Sequence, residues 1–349
     1  MTKILVVDDS ALMRKQIKII LDEYPEFQVE FARNGRHALE VLETFNPDVI
    51  TLDINMPEMD GLTCLSHIMT RKPTPVIMFS SLTEKGAMAT LESMALGAVD
   101  YVLKPGGTIS LSIEEIKKDL IAKIKSAARS KPKTPSLQRK QILKQEQPIK
   151  QELVTKINQN FKLVLIGVST GGPRTLEEII PVLPSNFLGT VVICQHMPEA
   201  FTATFSTRLN SISNIKVQEI TAPTKLLPGN VYIAKGGHDV AIIERDKALT
   251  AVIKPMDRKY NWHPSVEHMV ETAIACYSVK NIIGVMLTGM GDDGAAVMSK
   301  IHKLGGKTIA ESEESSVVFG MPNELIKHGG ATEILHSCNI ADKLVSWTM

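Results

Sequence analysis

Acidic, basic and hydroxyl side chains sit at the ends of short apolar runs in the first third of this chain. Asp8 and Asp9 follow Ile4–Val7, and Asp53 follows Val49–Leu52. Ser80 follows Val76–Phe79, and Lys104-Pro105 follows Val99–Leu103. Three carboxylates brought together need a cation. Mg²⁺ is the suitable hard ion, held by carboxylates, waters and a phosphate oxygen. Asp53, the central carboxylate, is then a candidate nucleophile toward a phosphoryl group. Lys104 offers a compact positive charge for that group and Ser80 a hydroxyl. Each residue alone has a plainer reading. An Asp pair after a strand is often a helix N-cap, here before Ala11–Leu21, and a lysine before proline is usually solvated. The five at matching positions are far more specific.

A second constellation lies further on. Gly167-Val-Ser-Thr-Gly-Gly172 follows the apolar run Leu163–Ile166 and precedes a helical pattern beginning near Pro173. Such a turn suits anion binding at a helix N-terminus, or a serine nucleophile with glycines giving access. No Gly-Lys-Ser/Thr follows, so it is not a Walker A loop. The next run, Val191–Cys194, leads into Gln195-His196-Met197 rather than into an acid for a ribose. A third run, Ile282–Leu287, leads into Thr288-Gly-Met-Gly-Asp-Asp-Gly294. A serine, a histidine and an acid pair thus each follow a buried run. That is the set a nucleophile, its base and an orienting carboxylate require. Plainer readings stand beside it. Ser169 could cap a helix, His196 could be a satisfied polar residue, and Asp292 or Asp293 could cap the helix starting at Ala295.

Elements of one kind must carry these residues. In both halves short apolar runs alternate with stretches at helical spacing, such as Leu12–Leu21 and His37–Leu42. That grammar predicts α/β domains with mainly parallel, doubly wound sheets, whose ligands sit at the carboxyl ends of strands. Val29–Phe31 reads as a shorter strand. Val231–Ala234, Val240–Glu244 and Leu249–Ile253 read as strands joined by short turns, a hairpin insertion in the second sheet.

Between the halves the composition changes. Residues 1–128 hold 14 Lys+Arg and 18 Asp+Glu, net −4, and residues 161–349 hold 17 and 18, net −1. Residues 129–160 hold 8 and 2, net +6, with Pro132, Pro135 and Pro148 and no glycine or aromatic. This reads as a solvated basic linker, with room for a short amphipathic helix around Ile142–Leu143. The expected domains are 1–125, a linker over 126–160, and 161–349. The whole chain is close to neutral at +1, which gives no nucleic-acid footprint. Four cysteines without Cys-x-x-Cys spacing argue against a zinc site or a disulfide framework, and Cys194 reads as a buried strand residue. No apolar run reaches membrane-spanning length, and the N-terminus meets acid too early for a signal peptide. A cytoplasmic monomer without membrane insertion is the expectation.

The first domain resembles a response-regulator receiver domain. Leu5-Val-Val-Asp-Asp, Leu52-Asp-Ile-Asn-Met-Pro-Glu-Met-Asp-Gly61 and Tyr101-Val-Leu-Lys-Pro carry the likeness. The resemblance implies a flavodoxin-like fold and phosphorylation of Asp53 by a histidine kinase. It implies Mg²⁺ at Asp8, Asp9, Asp53 and the backbone carbonyl of Asn55. It makes Ser80 and Tyr101, with Lys104, the residues that respond.

The second domain resembles the catalytic domain of chemotaxis-type protein-glutamate methylesterases. Gly167-Val-Ser-Thr-Gly-Gly, Gln195-His-Met-Pro-Glu-Ala-Phe-Thr, Arg208-Leu-Asn, Leu227-Pro-Gly-Asn-Val-Tyr-Ile-Ala, Pro264-Ser-Val, Leu287-Thr-Gly-Met-Gly-Asp-Asp-Gly-Ala and Val317-Val-Phe-Gly-Met-Pro recur in family order. The resemblance implies a Rossmann-like three-layer fold. It makes Ser169 the nucleophile, His196 the base and Asp293 the orienting carboxylate, since Asp292 falls where the family often has Asn. It brings Thr170 and Met290 to the pocket, with backbone N–H groups of both loops as oxyanion donors. The expected activity is hydrolysis of glutamate methyl esters on chemoreceptors and deamidation of receptor glutamines, with no cofactor for the hydrolase. Two departures stand out. Val168 replaces a more usual Ala, and Trp262-His263-Pro264 stands where His-Arg-Pro is more common. A nucleotide-binding second domain and a DNA-binding output are the rival expectations, and net −1 over residues 161–349 argues against the latter.

Overall fold

A computed structural model describes residues 1–81, 83–104, 112–130 and 161–348. The chain divides into two compact units, Met1–Arg139 and Lys140–Met349. The possible linker helix around Ile142–Leu143 and the linker prolines lie outside the described residues, as does Pro105.

The first unit runs β1 (Thr2–Val7), α1 (Ala11–Asp22), β2 (Phe27–Ala32), α2 (Gly35–Phe45), β3 (Val49–Asp53), α3 (Gly61–Arg71), β4 (Val76–Ser80), α4 (Glu84–Leu96), β5 (Asp100–Leu103) and α5 (Ser112–Ala127). Its sheet has the order β2-β1-β3-β4-β5, and every pairing is parallel. Ile4–Val7 and Val49–Leu52 are buried along their whole length, as strands covered on both faces must be. Ser10, Asn34, Asp60 and Thr83 each accept a backbone N–H at the start of the following helix. These caps fix where the loops end and the helices begin. The strand order reverses between β1 and β3, so the loops after those two strands open into one crevice.

The second unit runs β6 (Leu163–Val168), α6 (Gly172–Ile179), β7 (Thr190–Gln195), α7 (Glu199–Ile212), β8 (Lys216–Glu219), β9 (Thr224–Lys225), β10 (Asn230–Ile233), β11 (Asp239–Arg245), β12 (Ala248–Lys254), α8 (Val266–Cys276), β13 (Ile282–Met286), α9 (Ala295–Lys303), β14 (Lys307–Glu311), α10 (Met321–Lys327), β15 (Glu333–Leu335) and α11 (Ser337–Thr348). Seven strands form one parallel sheet in the order β15-β14-β13-β6-β7-β10-β8. The expected hairpin is real, but it stands outside this sheet. β11 and β12 pair antiparallel and, with β9, make a separate three-stranded sheet. The first of the three expected strands belongs elsewhere, since β10 pairs parallel with β7 and β8. Its Val231–Ile233 are wholly buried, the mark of a central strand. Here the direction of winding reverses between β13 and β6, and the loops after both strands meet.

Candidate active site

In the first unit, Lys104 Nζ lies 2.8 Å from Asp53 Oδ2 and 3.0 Å from Asp8 Oδ2. Asp53 is buried, 2% exposed. Burial pushes its carboxyl above the usual range, more than the Lys104 ammonium pulls it down. Burial alone would lower the Lys104 ammonium, but pairing with Asp53 and Asp8 outweighs it and the net shift is upward. Carboxylate oxygens of Asp8, Asp9 and Asp53 all lie within 4.8 Å of one another. Asp8 Oδ2 is buried and makes no hydrogen bond among the described residues. Its ion-pair partner, Lys104, is shared with Asp53. A carboxylate oxygen left this way suits a divalent ion. Asn55 is exposed beside the cluster, and its N–H reaches Asp53 Oδ1 at 3.4 Å. Ser80 is buried and accepts from Thr90 Oγ1 at 2.7 Å. Tyr101 is also buried. Burial first, then Asp100 and Asp119, hold its hydroxyl well above the ordinary tyrosine range.

In the second unit the three site-bearing loops leave adjacent strands. β6 lies between β7 and β13. Just past their paired ends, His196 N donates to Val168 O at 3.0 Å and Ser169 N donates to Thr288 O at 3.0 Å. The backbone therefore sets Ser169 beside both His196 and the Thr288–Gly291 loop. Gln195 ties the first two together, its Nε2 donating to Ser169 O at 3.0 Å and to His196 O at 3.1 Å. Gly289 must lack a side chain, because a Cβ there would stand 2.7 Å from Ser169 Cβ.

His196 Nε2 and Asp293 Oδ2 are 2.9 Å apart. A carboxylate only accepts, so the neutral imidazole carries its proton on Nε2. Nδ1 is then the basic nitrogen. It is buried and has no hydrogen-bond partner among the described residues. Of the two acids, Asp292 is exposed and Asp293 buried at 4%. Asp293 does not cap the helix that follows it. That helix, α9, has Gly294 as its N-cap and no side-chain cap. Its carboxylate instead receives the start of α8: Val266 N at 2.7 Å, Glu267 N at 3.1 Å and Ser265 Oγ at 3.2 Å. Two N–H groups at a helix start, a hydroxyl and an imidazole satisfy a buried charge that would otherwise be costly. Nor does Ser169 cap a helix. Gly171, at φ 78°, is the N-cap of α6 and no side chain bonds there. Thr170 is buried and Met290 half-buried, in the two loops flanking Ser169.

Several supporting residues were given no role from the sequence. Ser265 caps α8 through His268 N while donating to Asp293. A serine before an apolar-periodic stretch is an N-cap signal that could have found it. Asp239, buried at the start of β11, accepts from His263 Nδ1, Ser265 N and Asp257 N, all at 3.0 Å. Glu311 is buried behind the site and accepts Thr288 N at 2.8 Å. The indole of Trp262 lies on the His196 ring. Cys194 is fully buried, and burial, then Asp293 and Asp239, hold its thiol well above the ordinary range, so it is a packing residue as expected.

Comparison with known proteins finds relatives of both units. Residues 164–344 match the family model for CheB methylesterase, and residues 4–114 match the response regulator receiver domain. A protein-glutamate methylesterase/protein-glutamine glutaminase of Rhodospirillum rubrum is 49% identical over 356 residues, covering 99% of this chain and 96% of its own length. One from Carboxydothermus hydrogenoformans is 49% identical over 352 residues, covering 98% of each. The crystal structure of the Thermotoga maritima CheB methylesterase catalytic domain superposes with a TM-score of 0.52 at 39% identity, over 53% of this chain and 98% of that one.

Proposed function

This chain belongs to the CheB methylesterase family, and from that premise we propose that it is a phosphorylation-activated esterase acting on chemoreceptors. It hydrolyses glutamate methyl esters, releasing methanol, and deamidates receptor glutamines in chemotactic adaptation. The observation that carries the reading is the buried Asp293–His196 pair, set at the strand edge that also presents Ser169.

His196 Nδ1 takes the Ser169 hydroxyl proton as Oγ attacks the ester carbonyl. Backbone N–H groups of the Thr170 and Met290 loops stabilise the oxyanion. The imidazolium, held by Asp293, then gives its proton to departing methanol, leaving an acyl-enzyme. Water, deprotonated by the same Nδ1, attacks the acyl group. Ser169 leaves with its proton restored and the receptor keeps a glutamate. With glutamine the leaving group is ammonia and the acyl-enzyme is the same.

Residues 1–125 act as the receiver, 126–160 as the linker and 161–349 as the esterase. A histidine kinase supplies the phosphoryl group to Asp53, and Lys104, Ser80 and Tyr101 respond to it. Asp8, Asp9, Asp53 and the Asn55 carbonyl would hold Mg²⁺, which supplies charge neutralisation at the phosphoryl oxygens. No described helix is long and apolar enough to cross a membrane. We place the protein in the cytoplasm, as a monomer, without nucleic acid.

The test is methanol release from methylated receptor membranes. The wild-type chain is expected to release it and Ser169→Ala to fall by about 10⁶-fold, to background. Comparable release by Ser169→Ala would overturn the assignment of the nucleophile.

A further inference from the structure

Trp262 has no part in the mechanism above, yet it lies flat against the proposed base. The indole and the His196 imidazole are parallel to within 3°, with centroids 5.7 Å apart. This is the offset stack that aromatic rings favour. Trp262 reaches the imidazole from the loop between β12 and α8. That loop is not free to drift, because Asp239 binds it through Asp257 N, His263 Nδ1 and Ser265 N. The benzo edge of the indole also lies beside Gly291. A Cβ built on Gly291 would stand 3.0 Å from Trp262 Cζ2. Gly291 adjoins Met290, in the loop assigned to the oxyanion. The indole therefore lies close to both the base and that loop.

His196 needs such a partner. Its ring is hydrogen-bonded at Nε2 only, to Asp293, and Nδ1 has no partner among the described residues. One hydrogen bond fixes one edge of a ring but leaves it free to pivot about that edge. Packing on its face removes the pivot.

We propose that Trp262 is a positioning residue for the hydrolysis: stacked on His196 and abutting Gly291, it holds the imidazole plane so that Nδ1 faces Ser169, and it spaces the base from the oxyanion loop. The proposal rests on the assignment of Ser169 and His196 above. Trp262 acts through His196 rather than through bound substrate, so its removal lowers kcat and leaves KM in place.

The experiment uses the full-length chain with Trp262→Leu, Trp262→Phe and Ser169→Ala. Methanol release gives kcat and KM, and a fluorophosphonate probe gives the rate of Ser169 labelling. Trp262→Leu is expected to lower kcat and the labelling rate by about 10- to 100-fold, the scale of a small misplacement of a reacting group. KM stays within about twofold, and Trp262→Phe, which keeps a flat ring, recovers most of the loss. Wild-type kcat in Trp262→Leu would overturn the proposal. So would a raised KM at constant kcat, which would make Trp262 a substrate contact, or a Phe variant as slow as Leu. Trp262→Leu at wild-type kcat beside an inactive Ser169→Ala sinks only this proposal, whereas an active Ser169→Ala sinks the triad itself. A second readout does not depend on how the Trp262 variants fold. The chain has two tryptophans, so Trp347→Phe leaves Trp262 as the sole emitter. Its emission is expected to change when His196→Ala is added, and unchanged emission contradicts the stack.

Discussion

At Asp293 the chemistry of one carboxylate is decided by what donates to it. Its neighbour Asp292 is identical in type and points to solvent. Asp293 receives two backbone N–H groups, a serine hydroxyl and the imidazole. Asp293→Asn keeps the volume but turns an amide NH₂ toward at least one of these donors. Its methanol release is expected to fall by about 10⁴-fold, the scale for amide replacement of a triad carboxylate. Asp292→Asn is expected to stay within about twofold of wild type, as exposed substitutions away from such features usually do. Equal losses in the two variants would contradict the assignment. Asp53 permits a prediction of opposite character. Burial raises its carboxyl, so between the unfolded and folded pKa values the native state binds more protons than the unfolded chain. The contribution of Asp53 to receiver stability is then lost as pH rises from about 4, where an unperturbed Asp titrates, through the raised value. Asp53→Asn is expected to remove that part of the pH dependence. Hydrogen exchange of the β1 and β3 amides across the pH series reads it in the full chain.

At the scale of elements, the site is a product of strand ends and glycine turns. β6 and β13 each pass into a helix through a left-handed glycine, Gly171 at φ 78° and Gly294 at φ 79°. Gly294 is also pressed against the start of α8, where an added Cβ would stand 2.4 Å from a Val266 methyl carbon. Gly294→Ala therefore strains the backbone and pushes α8 away from Asp293. It is expected to destabilise the catalytic unit by about 2 kcal/mol or more and to lower kcat with it. Thermal melts and methanol release together check this, and an unchanged melt would contradict it. The same elements show what the sequence made legible. Strands such as β1, β3, β6 and β13 are continuous apolar runs buried on both faces, and their ends carry Asp53, Ser169 and the Thr288–Gly291 loop. The edge strands of the second sheet were not legible, although β2 and β5 at the edges of the first were. β8 is Lys-Val-Gln-Glu and β15 is only three residues long, so neither has an apolar run to read. Nor was the hairpin's separate sheet, because periodicity reports burial and not the partner strand. The residues that orient His196 were the least legible. Asp239 and Trp262 act through contacts between segments far apart in sequence, which no local pattern encodes, and of Ser265 only its N-cap role has a local signal.

At the scale of the whole molecule, two units of the same architecture carry different chemistry at the same place, the carboxyl edge of a doubly wound sheet near its switch point. In one, Lys104 pairs with the buried carboxylates of Asp8 and Asp53. In the other, the buried Asp293 carboxylate holds His196 beside the Ser169 turn. Phosphorylation changes charge at Asp53, and for that to change hydrolysis at Ser169 the two states of the receiver must differ in their effect on the esterase. The coupling is thus a property of the full chain. Methanol release from methylated receptor membranes, with and without acetyl phosphate and Mg²⁺, measures it most directly, with Asp53→Asn run beside wild type. Wild type is expected to speed up on addition of the phosphodonor while Asp53→Asn keeps its basal rate. Equal acceleration of both, or of neither, would contradict the account.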